Sequence, residues 1–201
     1  MLTDMARARA RSLLNAVAQI FISLGISPNT LTVAGFIGVC LIAVVIAAGY
    51  EAWGGLLIIL AGAFDAVDGT LARATNKVTK FGAFLDSTLD RWADAALFLA
   101  ILYRFVQLGD PLSIYLTVVA LIGSLLVSYT RARAEGLGAS IKEGWFTRLE
   151  RTIILILGLI LTAWVGPVAM TVAVAILAVF ANITAVQRVF AARRALDGTN
   201  L

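Results

Sequence analysis

Long apolar stretches separated by short polar segments are the main pattern of this chain. The stretches comprise residues 31–50, 53–71, 82–105, 111–130 and 152–187. Gly166 and Pro167 divide the last stretch, because such a pair ends one helix and allows another to begin. About 20 apolar residues are needed for a helix to cross the roughly 30 Å hydrocarbon core of a bilayer. The pattern therefore predicts an all-α integral membrane protein with six transmembrane helices.

A shorter amphipathic segment precedes the first apolar stretch. Apolar residues recur at helical spacing between Leu13 and Leu24, with polar amides between them, which is typical of a helix that lies in the membrane interface. A cleaved signal peptide is the competing interpretation, since arginines precede the apolar residues. The polar sequence around Pro28 indicates a helix boundary. We therefore expect a cytoplasmic arm and interfacial helix at residues 1–27 and a six-helix domain at residues 28–201.

Composition excludes a soluble globular domain and several kinds of catalytic site. The chain is 61% hydrophobic and 14% charged, whereas soluble domains are roughly 45–50% apolar and about 25% charged. It has no histidine and one cysteine, Cys40, which excludes histidine catalysis, an internal disulfide and a multi-cysteine metal site. With six alternating spans, 15 of the 16 basic residues fall on one side of the membrane, and only Arg104 falls on the other. By the positive-inside rule this side of the cell membrane, together with both termini, faces the cytoplasm. The net charge of +4 therefore indicates binding to a membrane surface rather than to nucleic acid.

Four aspartates interrupt the second and third apolar stretches. Asp65 and Asp68 are three residues apart and share one face of a helix, and Asp86 and Asp90 are four apart and share a face of the next. Because consecutive membrane helices are antiparallel, the end of one lies beside the start of the other, and we expect the four carboxylates to converge at the cytoplasmic edge. Asp94 lies one turn further along, either supporting this cluster or forming a separate buried pair.

A cluster of carboxylates needs cations, since unpaired anions at this depth repel one another. Ligands that are all oxygen favour Mg²⁺, or Mn²⁺ as a substitute, and two such ions can stabilise the attacking and leaving oxygens of a displacement at phosphorus. Arg73 could hold another phosphate oxygen, while Gly69 and Gly82 leave room for a phosphate or base beside the backbone. Ion pairs such as Asp90 with Arg73, or an ion pathway, are the alternatives.

The same residues carry a family resemblance. The segment Asp65-x2-Asp68-Gly69-x2-Ala72-Arg73-x8-Gly82-x3-Asp86-x3-Asp90 matches all eight fixed positions in the signature of the CDP-alcohol phosphatidyltransferases. The chain resembles this family over essentially its whole length, including the six spans and the N-terminal helix. The resemblance implies an enzyme in which an alcohol hydroxyl attacks the β-phosphorus of a CDP-activated lipid and CMP leaves.

Roles for individual residues follow from this resemblance. Asp65, Asp68 and Asp86 are implied to bind two metal ions, and Asp90 is implied to bind the second ion and to accept the proton of the acceptor hydroxyl. The implied contacts with the CDP-lipid are Asp65, Asp68, Gly69, Arg73, Thr79 and Gly82, together with Pro28, Asn29, Thr30 and Leu31, which resemble the family segment that closes over the nucleotide.

Arginines on the predicted cytoplasmic side indicate an acceptor that carries a phosphate. The candidates are Arg131, Arg148, Arg151 and Arg188. A guanidinium group can bind a phosphate through two parallel hydrogen bonds, and we expect these four to form a phosphate pocket. A solvated positive loop is the alternative interpretation.

These arginine-rich segments are most similar to those of the prokaryotic phosphatidylinositol phosphate synthases. The similarity covers residues 128–135 and 148–151, although Thr147 and Leu149 stand where that pattern has glutamate and proline. It implies inositol 1-phosphate as acceptor and CDP-diacylglycerol as donor, or CDP-archaeol in an archaeal version. Glycerol 3-phosphate, the acceptor of a phosphatidylglycerophosphate synthase, is the first alternative, and an ion-coupled transporter is the alternative of another class. A homodimer is expected from the resemblance alone.

Overall fold

Helices make up the regular structure of the protein. The structure is a computed structural model that describes residues 17, 19–74, 79–141 and 143–198, with the side chains at positions 66, 68, 69 and 72–74 excepted. Residues 19–23 are helical, and six long helices follow: α1 (Pro28–Ala47), α2 (Glu51–Ala74), α3 (Lys80–Leu108), α4 (Pro111–Gly136), α5 (Arg148–Val165) and α6 (Val168–Asp197). The described residues contain no strand, so the predicted all-α class is confirmed for them.

Local capping chemistry determines where several helices begin. The Ser27 hydroxyl oxygen accepts a hydrogen bond from the Thr30 amide at 3.1 Å, and Pro28 occupies the first position of α1. The Asp110 carboxylate accepts a hydrogen bond from the Ser113 amide at 3.1 Å ahead of α4. Each of these oxygens satisfies an amide that has no acceptor within its own helix. The helix boundary predicted near Pro28 is therefore present.

The six helices pack in a closed ring. Their principal contacts follow the order α1, α2, α5, α6, α4, α3 and then α1 again. Consecutive helices run antiparallel, so the starts of α1, α3 and α5 lie at the same end of the ring as the ends of α2, α4 and α6. Residues that are far apart along the chain can therefore meet at this end.

The hydrophobic core lies towards the opposite end of the ring. All six helices contribute buried residues to it. Ile46 and Phe105, in the last turns of α1 and α3, are 0% exposed, and Met170, near the start of α6, is 1% exposed. Apolar packing consequently holds the helices together away from the end where α3 and α5 begin.

Small residues bring α6 close to two of its neighbours. A Cβ atom on Gly158 of α5 would lie 2.3 Å from Cβ of Ala173, and one on Gly123 of α4 would lie 2.5 Å from Nδ2 of Asn182. Asn182 also donates a hydrogen bond to the carbonyl of Val119 on α4 at 3.1 Å. Close backbone approach of this kind, with polar groups bonding between helices, is typical of packing inside membranes.

The outer surface of the ring is apolar, as in a protein surrounded by hydrocarbon. Large side chains such as Leu41, Leu60 and Val168 are 63%, 66% and 65% exposed. In the part of the chain that the structure describes, α1, α4 and α6 are long and apolar enough to cross a membrane. The other three helices carry the aspartates or begin with charged residues, and the predicted count of six spans depends on them. The predicted arm and interfacial helix lie largely outside the described residues.

Candidate active site

Three aspartates from α2 and α3 meet at one end of the ring. Asp65 lies near the end of α2, while Asp86 and Asp90 lie in the first turns of α3, and each offers a carboxylate oxygen within 4.8 Å of the others. The spacing of four residues places Asp86 and Asp90 on one face, and the reversal between the helices brings Asp65 to them. The convergence predicted from spacing is confirmed for these three. The side chains of Asp68 and Arg73, and the surroundings of Gly69, lie outside the described residues.

This donor set suits a hard divalent cation. Three carboxylates at such separations repel one another unless positive charge lies between or beside them. Oxygen donors are the ligands that Mg²⁺ and Mn²⁺ prefer, and the chain has no histidine to add a nitrogen ligand. Asp65 is exposed and the other two are half-buried, so a cation can enter from solvent.

Arg148 connects the carboxylate cluster to α5. Its Nη2 lies 2.9 Å from Oδ1 of Asp90, and its Nε lies 3.7 Å from Oδ1 of Asp94. Arg91 Nη1 lies 3.7 Å from the other oxygen of Asp90. The residue pattern indicated that Arg148 binds the acceptor, and it gave no sign of the contact with Asp90.

Arg151 lies deeper than Arg148. It is 5% exposed, and its Nη2 lies 3.9 Å from Oδ2 of Asp94, while its Nη1 donates to the Phe146 carbonyl at 3.3 Å. Within the described residues Nη2 has no hydrogen-bond partner. The nearby carboxylate of Asp94 offsets part of the cost of burying this positive charge. Arg148 and Arg151 therefore share the carboxylate of Asp94.

Arg188 and Arg131 have other partners. Arg188 is 5% exposed and donates to the carbonyl of Val127 at 2.6 Å and to that of Glu143 at 3.1 Å. It thereby ties the segment before α5 to α4 and α6. Arg131 is exposed and pairs with Glu135 at 2.9 Å. Of the four arginines predicted to bind phosphate, the two on α5 reach the aspartates in the described contacts, whereas these two do not.

The start of α1 lies beside the start of α3. Leu31 is 3% exposed and packs with Val67 of α2. A Cβ on Gly82 would lie 3.1 Å from both the side-chain oxygen of Asn29 and the hydroxyl of Thr79. The Thr79 hydroxyl also accepts a hydrogen bond from the Gly82 amide at 2.9 Å, which caps α3. The segment predicted to close over a nucleotide and two of the other predicted contacts are therefore neighbours.

A cavity of about 400 Å³ adjoins the carboxylate cluster. Its walls come from α1, α2, α3 and α5, and its charged lining consists of Asp65, Asp90, Asp94 and Arg148. The other lining residues are apolar or glycine apart from Thr32 and Thr152. Thr152 is a lining residue that was not predicted, although its position four residues after Arg148 places both on one helix face. A cavity with a charged part and an apolar part suits a ligand of mixed polarity.

Comparison with known families identifies the class of protein that this fold and site define. The family model described as CDP-alcohol phosphatidyltransferase matches residues 25–184. The chain therefore belongs to the CDP-alcohol phosphatidyltransferase family, whose members are membrane enzymes of phospholipid biosynthesis that use divalent metal ions.

Named relatives align over nearly the whole chain. The archaetidylinositol phosphate synthase of Pyrococcus horikoshii is 36% identical over 198 residues, which covers 95% of this chain and 96% of the relative. The phosphatidylinositol phosphate synthase of Corynebacterium glutamicum is 40% identical over 187 residues, covering 90% and 84%. The family assignment therefore applies to the chain as a whole.

Solved structures show the same fold. The phosphatidylinositol phosphate synthase of Mycobacterium tuberculosis with CDP-DAG bound superimposes with a TM-score of 0.87 at 30% identity, covering 90% of this chain and 94% of that one. A structure of that protein with manganese and citrate gives a TM-score of 0.84 at 31% identity, covering 89% and 88%. The fold is thus shared with an enzyme known in complex with a CDP-lipid and with a divalent metal.

Proposed function

We propose that this protein transfers a phosphatidyl or archaetidyl group from a CDP-lipid to inositol 1-phosphate and releases CMP. The observation that carries the proposal is that Arg148 lies 2.9 Å from Asp90 at the edge of the cluster formed with Asp65 and Asp86. Metal-binding carboxylates suit the diphosphate of the donor, and guanidinium groups suit a phosphorylated acceptor. The names of the relatives support the same pair of substrates.

The aspartates act on the diphosphate end of the donor. Asp65, Asp68, Asp86 and Asp90 would hold two Mg²⁺ ions, or Mn²⁺ in their place, which supply charge stabilisation to the phosphoryl oxygens. Asp90 accepts the proton of the acceptor hydroxyl. The hydroxyl oxygen forms a bond to the β-phosphorus, the bond from that phosphorus to the oxygen of CMP breaks, and CMP leaves with the electron pair.

The nucleotide of the donor is assigned to the start of α1 and to the residues it faces. The proposed contacts are Pro28, Asn29, Thr30, Leu31, Gly69, Arg73, Thr79 and Gly82. The short distance between Asn29 and the Cα region of Gly82 supports this assignment, because a side chain at position 82 would meet Asn29 Oδ1 at 3.1 Å. Glycine at position 82 therefore allows Asn29, one of the proposed nucleotide contacts, to lie close to the backbone of α3.

The phosphate of the acceptor is assigned to Arg131, Arg148, Arg151 and Arg188. Arg148 lines the cavity, and Arg151 has a buried Nη2 without a hydrogen-bond partner in the described residues. Arg131, in the last turns of α4, and Arg188, in the second half of α6, lie towards the same end of the ring as the start of α5. Four guanidinium groups at one end of the ring favour an acceptor that carries a phosphate dianion over a neutral alcohol.

We further infer that all six helices cross the membrane, with both termini and the site on the cytoplasmic side. The single basic residue expected on the opposite side, Arg104, is neutralised by Glu51, whose Oε1 lies 2.7 Å from its Nε. The remaining charge bias satisfies the positive-inside rule. The arm and interfacial helix at residues 1–27 and the six-helix domain at residues 28–201 are parts of this proposal that rest on the pattern of apolar residues. A homodimer is a further part, and it follows from the family resemblance alone.

Release of CMP by the purified protein in CDP-diacylglycerol liposomes tests the proposal. Inositol 1-phosphate, glycerol 3-phosphate and free inositol serve as acceptors, with free inositol as the matched control for the phosphate, and CDP-archaeol serves as a second donor. We expect release with inositol 1-phosphate that stops on chelation of Mg²⁺ and resumes with Mn²⁺. Release of CMP with glycerol 3-phosphate alone would overturn the assignment of inositol 1-phosphate as acceptor but would agree with the proposed transfer reaction. No release with any pair of donor and acceptor would overturn the transferase assignment.

A further inference from the structure

We propose that Asp94 is a positioning residue that holds Arg148 and Arg151 in the orientation that binds the phosphate of the acceptor. The inference deepens the proposed function and rests on it. Asp94 is not among the eight positions of the family signature. It lies four residues after Asp90 on α3, so both side chains share one face, and both line the cavity.

The two oxygens of Asp94 each face a different arginine of α5. Oδ1 lies 3.7 Å from Nε of Arg148, and Oδ2 lies 3.9 Å from Nη2 of Arg151. The side chain of Asp94 is 18% exposed, so its charge is screened less than that of a surface carboxylate. One carboxylate thus sets the separation of two guanidinium groups. Two guanidinium groups at a defined separation are what a tetrahedral phosphate requires for several simultaneous hydrogen bonds.

Arg151 depends on Asp94 for its burial. A guanidinium that is 5% exposed is strongly destabilised unless an anion lies nearby. In the described residues its guanidinium donates a hydrogen bond to the Phe146 carbonyl at 3.3 Å, whereas its contact with Asp94 is an ion pair at 3.9 Å. Nη2, the atom that faces Asp94, is buried and has no hydrogen-bond partner there, so its donors are not consumed by another group of the described residues. Asp94 therefore supplies the compensating charge without consuming the donors that a phosphate would use.

Arg148 stands between Asp94 and the carboxylate cluster. Its shorter contact is with Asp90, at 2.9 Å, and Asp90 is one of the three carboxylates that suit a cation. When Asp90 is engaged by a cation, Arg148 loses much of the attraction of that carboxylate. Asp94 is not part of the three-carboxylate set and so remains an anionic partner for Arg148. It thereby keeps the arginine beside the reaction centre rather than leaving it free to turn into solvent.

Asp94→Asn, which preserves shape and removes the charge, tests the inference. Kinetic assays give the KM for inositol 1-phosphate at saturating CDP-diacylglycerol and, separately, the KM for CDP-diacylglycerol. Calorimetry gives the Kd for inositol 1-phosphate. We expect the acceptor KM and Kd to rise about tenfold or more, since misdirected guanidinium groups lose charge-assisted hydrogen bonds, while the donor KM stays within about twofold. Asp110→Asn, the same substitution at the opposite end of the bundle, is the matched control and should leave the acceptor KM unchanged.

Removal of a negative charge by itself reduces the repulsion of a phosphate and would leave the acceptor KM unchanged or lower it. An acceptor KM in Asp94→Asn that is unchanged or lower would therefore overturn the inference. A double-mutant cycle of Asp94→Asn and Arg148→Lys adds a second criterion. If Asp94 acts through Arg148, the effects of the two substitutions on the acceptor Kd should be less than additive. Full additivity would refute the positioning role. If Asp94→Asn does not fold, Asp94→Glu is used instead, because it keeps the charge but places it on a longer side chain. The acceptor KM should then rise more than the donor KM. A donor KM that rises as much as the acceptor KM would contradict the proposal.

Failure of the proposed acceptor gives a different result. If the wild-type protein uses glycerol 3-phosphate alone, the same comparison with that acceptor still tests Asp94, because the phosphate is common to both. If the wild-type protein releases no CMP, calorimetry with inorganic phosphate compares Asp94→Asn with the wild type directly. Equal phosphate affinity of the two proteins would then overturn the positioning role independently of the reaction.

Discussion

Replacing Gly158 by alanine is expected to push α5 away from α6 and to reduce activity without altering any charged group. The added Cβ would lie 2.3 Å from Cβ of Ala173 and 3.3 Å from the carbonyl oxygen of Ala169. Carbon atoms pack at about 3.5–4.0 Å, so the two helices must separate locally by more than about 1 Å. Both obstructing atoms are part of or next to the backbone of α6, which prevents relief by a simple rotamer change.

The size of the effect follows from packing and helix propensity. Overfilling a packed contact costs up to about 3 kcal/mol, and alanine in place of glycine returns about 1 kcal/mol of helix propensity. A net loss of about 2 kcal/mol corresponds to a fall in Tm of about 4–8 °C for a chain of this size. Arg148 and Arg151 move with α5, and a shift of about 1 Å at a reacting centre can cost about 100-fold in rate. We therefore expect CMP release to fall at least tenfold.

Thermal unfolding in detergent and the rate of CMP release provide the assay. Gly38→Ala on α1 is the matched control, because a Cβ at that position has nothing within 4 Å, and its Tm should be unchanged or slightly higher. Ala173→Gly in the Gly158→Ala background removes the opposing Cβ and should restore both Tm and activity. The reasoning is refuted if Gly158→Ala behaves like Gly38→Ala, or if Ala173→Gly restores neither property.

Two further predictions concern single carboxylates. Asp90→Asn should lower the rate of CMP release by about 100-fold or more, because the proton acceptor is lost. Its CDP-lipid binding and its Tm should stay close to those of the wild type. Full activity of this variant would show that Asp90 is not the base. Hydrogen bonds from Ser113 lower the pKa of Asp110 below its ordinary value, so this carboxylate stabilises the fold above about pH 4 and the stabilisation is lost as pH falls through the lowered pKa. The Tm of Asp110→Asn should therefore lie below that of the wild type at pH 7, and the difference should shrink towards pH 3; a difference that is constant with pH would contradict this.

Local sequence signals predicted the features that depend on neighbours along the chain. The boundary at Pro28 follows from a cap and a proline, and the shared face of Asp86 and Asp90 follows from the helical repeat. The approach of Asp65 to them required only that consecutive membrane helices reverse direction. These rules act over a few residues or a single turn, so the sequence alone is sufficient.

The contact between Asp90 and Arg148 was not predictable in this way. It joins α3 to α5, which are not consecutive, and depends on α5 lying between α2 and α6 in the ring. No spacing rule specifies which helices become neighbours when all of them are apolar. The partners of Arg188 were likewise unforeseen, because its guanidinium bonds to backbone carbonyls of Val127 and Glu143, and carbonyls are present at every position.

The sequence by itself determined the helical class, the membrane environment, the carboxylate motif and the family, because each depends on composition or on spacing within one or two helices. Only the tertiary structure decided which arginines stand beside the aspartates and gave Asp94 two of them as partners. The physical reason is that side-chain charge acts over a few ångströms in space, and the order in which the helices pack, rather than their order along the chain, determines which charges come within that distance.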